Sequence, residues 1–428
     1  MRGWICGFLL VCAAAGDAWS QSGSQAPRLR PNERQVVGLG MSLSSSAQEN
    51  VGQTAGPDSR FGGRQVASSL QGNLSYTPVQ NKRFSFGLSV AGGAQHYSRV
   101  GRVFASRRSA TTTASLLLFN RINVGLSGNY SYAPDFSLGS VFLPSGDVPT
   151  IDFAPAASDF AVTRNPSVSY DGALNLSYQM GARAALTMNY TTQQTDFSTQ
   201  TTPALTNWGA RGRFTYQWRR DLGLRLGYGR RSAGFTRRDG KSAVAVDDID
   251  AGIDFNRALK LAFVKDTTVS FASGSAITSD LTSRNFTLTG AVNLDRTFGR
   301  SARARLSFDR GVRIIAGFAA PLFVDTATTS FTWSPSRRLA LSASGSFATG
   351  DEGRGVGATG FQAWQGSLGS SFTAGRAGSF YANYSYTERG SVGDIVDIQR
   401  ALPLQRRHAF RVGMATSVPL IRRLVRGQ

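Results

Sequence analysis

Residues 207–218 read NWGARGRFTYQW, and the fold prediction rests on the alternation in this segment. Consecutive side chains of a β-strand point to opposite faces, so every second residue belongs to the same face. One face here is bulky and partly aromatic, and it includes Trp208 and Phe214. The other face is small or polar, and it includes Arg211 and Arg213. The stretch therefore predicts a strand that separates an apolar environment from a polar one.

The same alternation recurs along almost the whole chain. In residues 35–44, for example, Val37 and Leu39 alternate with Gly38 and Gly40. Each copy is about ten residues long, which is the length that a tilted strand needs to cross the hydrocarbon of a bilayer. Further copies occupy residues 83–91, 122–130, 168–178, 222–228, 249–255, 286–294, 302–308, 327–333, 339–347 and 408–418.

Short turns alternate with longer loops that are rich in Asp, Gly and Ser. The short turns recur about every 40 residues, apart from one wider interval with an inserted loop. A strand, turn, strand and loop at this interval form a hairpin unit, and eight or nine units give about 16 to 18 strands. We predict an all-β fold, a transmembrane antiparallel up-and-down β-barrel of about 18 strands with its short turns in the periplasm. The short turns are centred near Gln80, Asn120, Gly181, Arg220, Leu259, Phe298, Ser336 and Gly375.

Aromatic residues cluster at both ends of these strands. Trp218 and Trp333 precede short turns, whereas Tyr190 and Tyr228 precede long loops. Two aromatic belts at the two membrane interfaces have this distribution. A soluble β-sandwich or propeller is the alternative, but the polar faces are mostly Gly, Ser, Thr and Asn, and no segment has helical periodicity. The membrane barrel is therefore favoured.

The N-terminus predicts export. Residues 1–20 combine an early Arg2, an apolar stretch too short to span a bilayer, and small residues up to Ser20, as a signal peptide does. A lipoprotein signal at Cys12 fits less well, because the bulky Val11 precedes that cysteine. Both cysteines lie in this segment, so the mature protein is expected to have no thiol. We predict a signal peptide at 1–20, a periplasmic N-terminal segment at 21–33, an outer-membrane barrel at 34–418 and a periplasmic tail at 419–428.

The formal net charge is +21, and almost all of the cations are arginines, which suit phosphate and carboxylate partners. They are spread along the chain instead of forming a basic tail, which argues against nucleic-acid binding. If the apolar faces contact lipid, the opposite faces line a lumen with basic rows and an acidic counterpart. The predicted basic residues are Arg211, Arg213, Arg225, Arg303 and Arg305, and the acidic ones are Asp248, Asp250, Asp254 and Asp309.

Further arginines lie near the predicted outer loops. One hypothesis is that they bind lipopolysaccharide phosphates, for which the guanidinium geometry is suited. The alternative is an ordinary solvated loop surface. The residues are Arg99, Arg102, Arg107, Arg108, Arg230, Arg231, Arg237, Arg238, Arg406 and Arg407.

The sequence contains no assignable catalytic or metal-binding arrangement. Neither of the two histidines, His96 and His408, can be assigned to a Ser-His-Asp set, and no zinc-ligand spacing is present. A dinucleotide-fingerprint spelling at 355–360 lacks the strand and helix that this motif requires. We predict that the chain is not an enzyme and has no cofactor or metal, while calcium bound by loop aspartates stays an open alternative.

Residues 34–418 resemble Gram-negative outer-membrane barrels of the porin-like kind and, more loosely, uncharacterised barrels that accompany exopolysaccharide export systems. With the charged lumen, this resemblance implies a channel for small polar or anionic solutes in an outer membrane, with lipid, lipopolysaccharide and the barrel assembly machinery as partners. The alternative is a structural or export-partner barrel of an envelope polysaccharide secretion system, with a periplasmic export partner. One departure is that the chain continues past Val418, whereas such barrels generally close on an aromatic residue.

The third long loop, residues 133–163, contains four aspartates and no lysine or arginine. It resembles the inward-folded third surface loop of general porins, in which acidic residues face an arginine-rich wall. One hypothesis is a similar constriction with a transverse field. The other is an external flap, with lumen charges that only keep the interior hydrated. The aspartates are Asp135, Asp147, Asp152 and Asp159.

Overall fold

The structure is a computed structural model, and it describes fourteen stretches of the chain. The predicted signal peptide and residues 21–32 lie outside these stretches. The described residues are 33–51, 63–80, 83–97, 103–133, 166–198, 204–219, 222–237, 240–259, 267–279, 284–314, 321–351, 360–375, 378–392 and 405–424.

Eighteen β-strands make up the described residues, and the predicted strand count is confirmed. Within this part of the chain no helix is long and apolar enough to cross a bilayer. In chain order the strands are β1 Glu33–Val51, β2 Gly63–Gln80, β3 Phe84–Tyr97, β4 Val103–Leu118, β5 Ile122–Ala133, β6 Ser167–Gln179, β7 Ala184–Phe197, β8 Ala204–Arg219, β9 Leu222–Arg237, β10 Gly240–Leu259, β11 Thr267–Ser279, β12 Arg284–Phe298, β13 Ala302–Arg313, β14 Leu322–Trp333, β15 Leu339–Asp351, β16 Gly360–Ala374, β17 Gly378–Val392 and β18 Gln405–Leu424.

Each strand pairs antiparallel with the next strand in the chain, which is the pattern of consecutive hairpins. The ring closes where β1 pairs with β18, at Glu33 with Leu424 at one end and at Val51 with Arg406 at the other. The predicted closed antiparallel barrel is therefore confirmed. Closure pairs the first strand with the last, so neither of them is an edge strand on which another chain could pair.

The predicted short turns lie at one rim of the barrel, where the even-numbered strands up to β16 end. Phe119 and Asn120, which connect β4 to β5, both have positive φ, at 51° and 56°. Two consecutive residues of positive φ characterise the tight type I′ hairpin turn. Gly299 and Gly375 supply positive φ in two other turns of this rim, a conformation that glycine adopts without steric cost.

The two faces of the wall have opposite chemistry. Large apolar side chains stay exposed on the outside, for example Leu226 and Leu368. On the inside, hydroxyl groups of neighbouring strands bond to each other, as Ser44 does with Ser69 across 2.7 Å. Soluble monomers rarely expose a contiguous apolar surface of this extent, so the exterior is suited to acyl chains. The interior is suited to water.

Several strands are longer than the alternation predicts, and β9 and β10 show this most clearly. The pattern stops near Tyr228 and resumes near Ile249, which predicts a long loop between them. Instead β9 runs to Arg237 and β10 begins at Gly240, so only two residues connect them. The predicted loop is wrong here, because the hairpin continues as a paired ladder beyond the belt residue Tyr228.

The C-terminal boundary also needs correction, because residues 419–424 belong to the barrel and not to a periplasmic tail. Pairing of β18 with β17 ends at Thr416, and the last residues, up to Leu424, pair with the start of β1 instead. A proline in a strand is tolerated where no ladder bond needs its missing N–H. Pro419 follows the end of the β17 ladder and therefore does not terminate the strand.

Candidate functional site

The bore-facing sides of β5 to β13 enclose a pocket of about 1040 Å³. Arg211 and Arg213 on β8, Arg225 on β9, Asp248 on β10 and Asp309 on β13 all line it. Glycine, serine, threonine and asparagine make up most of the remaining lining. Five of the predicted lumen residues thus meet in one hydrated cavity.

Arg231 also faces this pocket, although the sequence predicts it on the exterior. Its Nε and Nη2 donate to Asp248 Oδ2 and Oδ1 at 2.8 and 2.9 Å. Its Nη1 donates to the carbonyl oxygen of Val312 at 2.9 Å. Because β9 extends to Arg237, alternation places residue 231 on the same side as Arg225. The two parallel N–H···O bonds to one carboxylate give this pair a defined geometry.

Asp309 is held by a second arginine that the sequence analysis did not place in the bore. Arg313 Nη2 donates to Asp309 Oδ1 and to Thr326 Oγ1, each at 2.9 Å. Both charged side chains are buried, with 7% and 6% of their surface exposed. Asp248 and Asp309 therefore do not form a separate acidic row opposite the arginines, because each is bound by an arginine of its own.

Arg303 and Arg305 lie near the short-turn rim, outside the lining of the pocket. Both bind Asp295, a carboxylate absent from the predicted lumen set. Arg303 Nε and Nη2 donate to its two oxygens at 2.8 and 2.5 Å, and Arg305 Nε donates to Oδ2 at 2.9 Å. One carboxylate thus lies between two guanidinium groups, and the cluster keeps a net positive charge.

The other predicted site residues fall outside the described side chains. Asp250 and Asp254 lie at bore-facing positions of β10, in the same alternating set as Asp248. Nothing is described of their side chains. The predicted constriction loop, with Asp135, Asp147, Asp152 and Asp159, lies outside the described residues. Among the described residues, no cluster of His, Cys, Asp or Glu is arranged to hold a metal ion.

The end of the β13–β14 hairpin that is far from the short-turn rim is separated from the neighbouring strand β12. Pairing of β12 with β13 stops at Gly290 and Arg310, although β12 continues to Arg284. Pairing of β13 with β14 continues to Arg313 and Leu322. The hairpin therefore separates from β12 while it stays intact. We refer to its described end, residues 311–314 and 321–324, as the hairpin tip.

The hairpin tip lies over the bore. The hydrogen bond between Arg231 and the Val312 carbonyl joins β9 to β13. These strands are four positions apart in the ring, about 19 Å along the wall at about 4.8 Å per strand. One arginine side chain does not cover that distance, so the contact requires the tip to bend inward.

Apolar packing supports the same position. Val312 is 2% exposed, although alternation with Phe308 places it on the lipid side of a regular strand. Ile314 and Phe323 pack against the same cluster. The opposite face of the tip is buried as well, since Leu322 and Val324 are at most 1% exposed. The cluster that receives Val312 consists of Leu205, Ala233, Phe235, Val244, Val246 and Ala276 from the bore sides of β8 to β11.

On the exterior, the structure separates the outer arginines into two groups. Arg230 and Arg406 are more than half exposed and face Asp247 at 4.0 Å and Glu388 at 2.7 Å, respectively. Arg407 is buried, and Arg231 faces the bore. Their assignment to the outer surface is therefore wrong, because the strands continue through these positions and alternation reverses the side. Arg99, Arg102 and Arg238 lie outside the described residues.

No protein-family model matches the chain, and no curated protein matches it. Among solved structures it is similar to OccK7 (OpdD) of Pseudomonas aeruginosa, with 11% identity, a TM-score of 0.45 and coverage of 90% of this chain and 100% of that chain. It is also similar to the siderophore receptor PirA of Pseudomonas aeruginosa, with 10% identity, a TM-score of 0.44 and coverage of 91% and 81%. The FrpB iron transporter of Neisseria meningitidis shares 9% identity, with a TM-score of 0.45 and coverage of 88% and 82%.

At these identities and TM-scores the likenesses establish neither a family nor a function for this chain. What identifies the protein is its own structure: a closed 18-stranded antiparallel β-barrel with an apolar exterior and a polar bore lined by arginine.

Proposed function

We propose that the protein is an outer-membrane channel that passes small polar solutes and prefers anions. The observation that supports this most strongly is the lining of the bore pocket. The pocket is lined by four arginines at bore-facing positions of their strands, Arg211, Arg213, Arg225 and Arg231. Two aspartates, Asp248 and Asp309, also line it. The excess of fixed positive charge raises the local concentration of anions.

The chemistry of the charged groups determines which anions are suitable. Guanidinium groups bind carboxylates and phosphates with parallel hydrogen bonds, and a hydrated bore weakens each contact enough for release. The Asp295 cluster near the other rim also keeps an excess of arginine. We therefore infer that a small carboxylate or phosphate meets positive charge at two levels along the bore.

The proposed location rests on the exterior. Leu226 and Leu368 represent an exposed apolar band, and aromatic residues such as Trp218 and Tyr228 flank it at the strand ends. Such a surface is matched by the hydrocarbon of a bilayer and its two interfaces. The exposed Arg230 and Arg406 would bind lipopolysaccharide phosphates only in competition with Asp247 and Glu388.

Reversal potentials in planar bilayers under a potassium chloride gradient test the channel. We expect the parent protein to prefer chloride over potassium. Replacing Arg211, Arg213 and Arg225 by Gln should move the permeability ratio toward unity, because it removes fixed charge from the pocket. Arg230→Gln is the matched control, since Arg230 lies on the outer face. Cation preference in the parent protein, or a triple variant with unchanged selectivity, would contradict the proposal.

A second candidate function is an export-partner barrel for an acidic envelope polysaccharide. The buried hairpin tip favours it, because a dedicated export barrel stays closed until its periplasmic machinery engages. The same bilayer recording separates the two candidates. A purified barrel that inserts but never conducts supports the export partner, whereas a stable open channel supports the diffusion pore.

A further inference from the structure

The separation of β13 from β12 leaves a length of β12 with no partner on that side. Residues 284–289 of β12 pair with β11, but within the described residues none of them pairs with β13. Free backbone groups in a strand edge are costly in lipid, because no water replaces the missing hydrogen bonds. Among the residues that the structure describes, none therefore fills the position in the wall next to residues 284–289 of β12.

The sequence of the hairpin tip fits this position. Extending the ladder from the Gly290–Arg310 pair would place Val312 opposite Leu288 and Ile314 opposite Phe286. All four of these side chains are apolar, and all would lie on the lipid side of the wall. At present Leu288 and Phe286 are 68% and 64% exposed, as expected for side chains that have a cross-strand neighbour on β11 but none on β13.

The inward position has its own stabilising contacts. Val312 packs in the apolar cluster on β8 to β11, and its carbonyl accepts the hydrogen bond from Arg231. Arg231 is in turn oriented by the fork to Asp248. Arg231 thus links the tip to β9 and β10 through a charged side chain.

We propose that the hairpin tip is a two-position gate and that Arg231 is the positioning residue that holds it in the bore. In the inward position the tip covers the apolar cluster and narrows the passage. In the outward position it completes the β12–β13 ladder, with Val312 and Ile314 facing lipid beside Leu288 and Phe286. Val312 and Ile314 are removed from water in both positions, against the apolar cluster in one and in lipid in the other, whereas Arg231 contacts the tip only in the inward one.

A disulfide measures the position of the tip directly, because the mature chain is expected to have no cysteine. We would introduce Leu288→Cys and Val312→Cys together. Residues directly opposite in an antiparallel ladder have Cα atoms about 4.5 to 5.5 Å apart, within the range that a disulfide accepts. Val292→Cys with Phe308→Cys is the positive control, because these two residues are already opposite each other.

With Arg231 present, we expect a low yield of the 288–312 disulfide and a high yield of the 292–308 control. Adding Arg231→Gln should raise the 288–312 yield several-fold, whereas Arg230→Gln, on the neighbouring outward-facing residue, should not. Locking the tip outward should raise the single-channel conductance, and a reductant should reverse this. Circular dichroism and the gel shift on heating verify that each variant is a folded barrel.

Two results would overturn the gate. One is a complete 288–312 disulfide in the parent background, which would mean that the tip already occupies the wall. The other is no 288–312 disulfide even with Arg231→Gln, while the control pair forms. The conductance readout alone rests on the proposed function. If crosslinking behaves as expected in a barrel that never conducts, the proposed channel function is contradicted, whereas the proposed movement of the tip is supported.

Discussion

Asp309 and Arg313 form a deeply buried ion pair. Removing one member of such a pair is strongly destabilising, by about 3 to 5 kcal/mol, because the remaining charge keeps its desolvation cost. We therefore predict that Asp309→Asn lowers the free energy of unfolding by about that amount. Urea unfolding in lipid vesicles measures it.

The control for this prediction replaces both partners. Asp309→Leu with Arg313→Met removes the charges together, and apolar replacements of a buried pair are often neutral or stabilising. We expect the double variant to unfold at a higher urea concentration than Asp309→Asn. If Asp309→Asn is as stable as the parent protein, the pair is not buried in the way described.

The lipid face makes a prediction at the scale of a single strand. On β16, Leu368 lies midway between the outward-facing Trp364 and Phe372 and is itself exposed. An arginine at the midplane of the lipid face of a barrel costs about 2 to 4 kcal/mol. Leu368→Arg should lower the free energy of unfolding in vesicles by about that amount.

Gln365→Arg is the matched control, because Gln365 lies on the bore side of the same strand. An arginine there meets water and should change stability little. Equal destabilisation by the two substitutions would mean that the two faces of β16 contact the same medium, which contradicts a lipid-facing exterior.

Twelve strands were predictable from the alternation and the total number from the hairpin interval, but the strand ends were not predictable. The alternation that marks β12 stops at Leu294, one residue before Asp295, and the alternation of β9 stops at Tyr228, before Arg231. Both residues lie in the bore because the ladders continue beyond the apolar segment. Where a strand leaves the hydrocarbon, bulky apolar residues no longer occupy every second position of its outer face, so the alternation disappears while the pairing persists.

The closed ring was predictable from the regular interval of the hairpins in the sequence. The inward bend of the β13–β14 hairpin was not predictable in this way. Alternation assigns Val312 to the exterior, and only the departure of β13 from β12 reverses this. A signal was nevertheless present. Residues 314–324 read IIAGFAAPLFV, an apolar run where the other long connections carry Asp, Gly and Ser. A connection of that composition is expected to find an apolar environment, and its described residues Ile314 and Phe323 pack against the cluster on β8 to β11.

The proposed barrel has lipid at its outer face and water in its bore, and the native tryptophans report on this directly. Trp208, Trp218, Trp333 and Trp364 are all exposed on the outward face, and the two others lie in the predicted signal peptide. We would reconstitute the mature protein in vesicles and compare fluorescence quenching by brominated acyl chains with quenching by aqueous iodide. We expect strong quenching by the brominated lipid and weak quenching by iodide. Strong iodide quenching with no effect of the brominated lipid would contradict this placement of lipid and water.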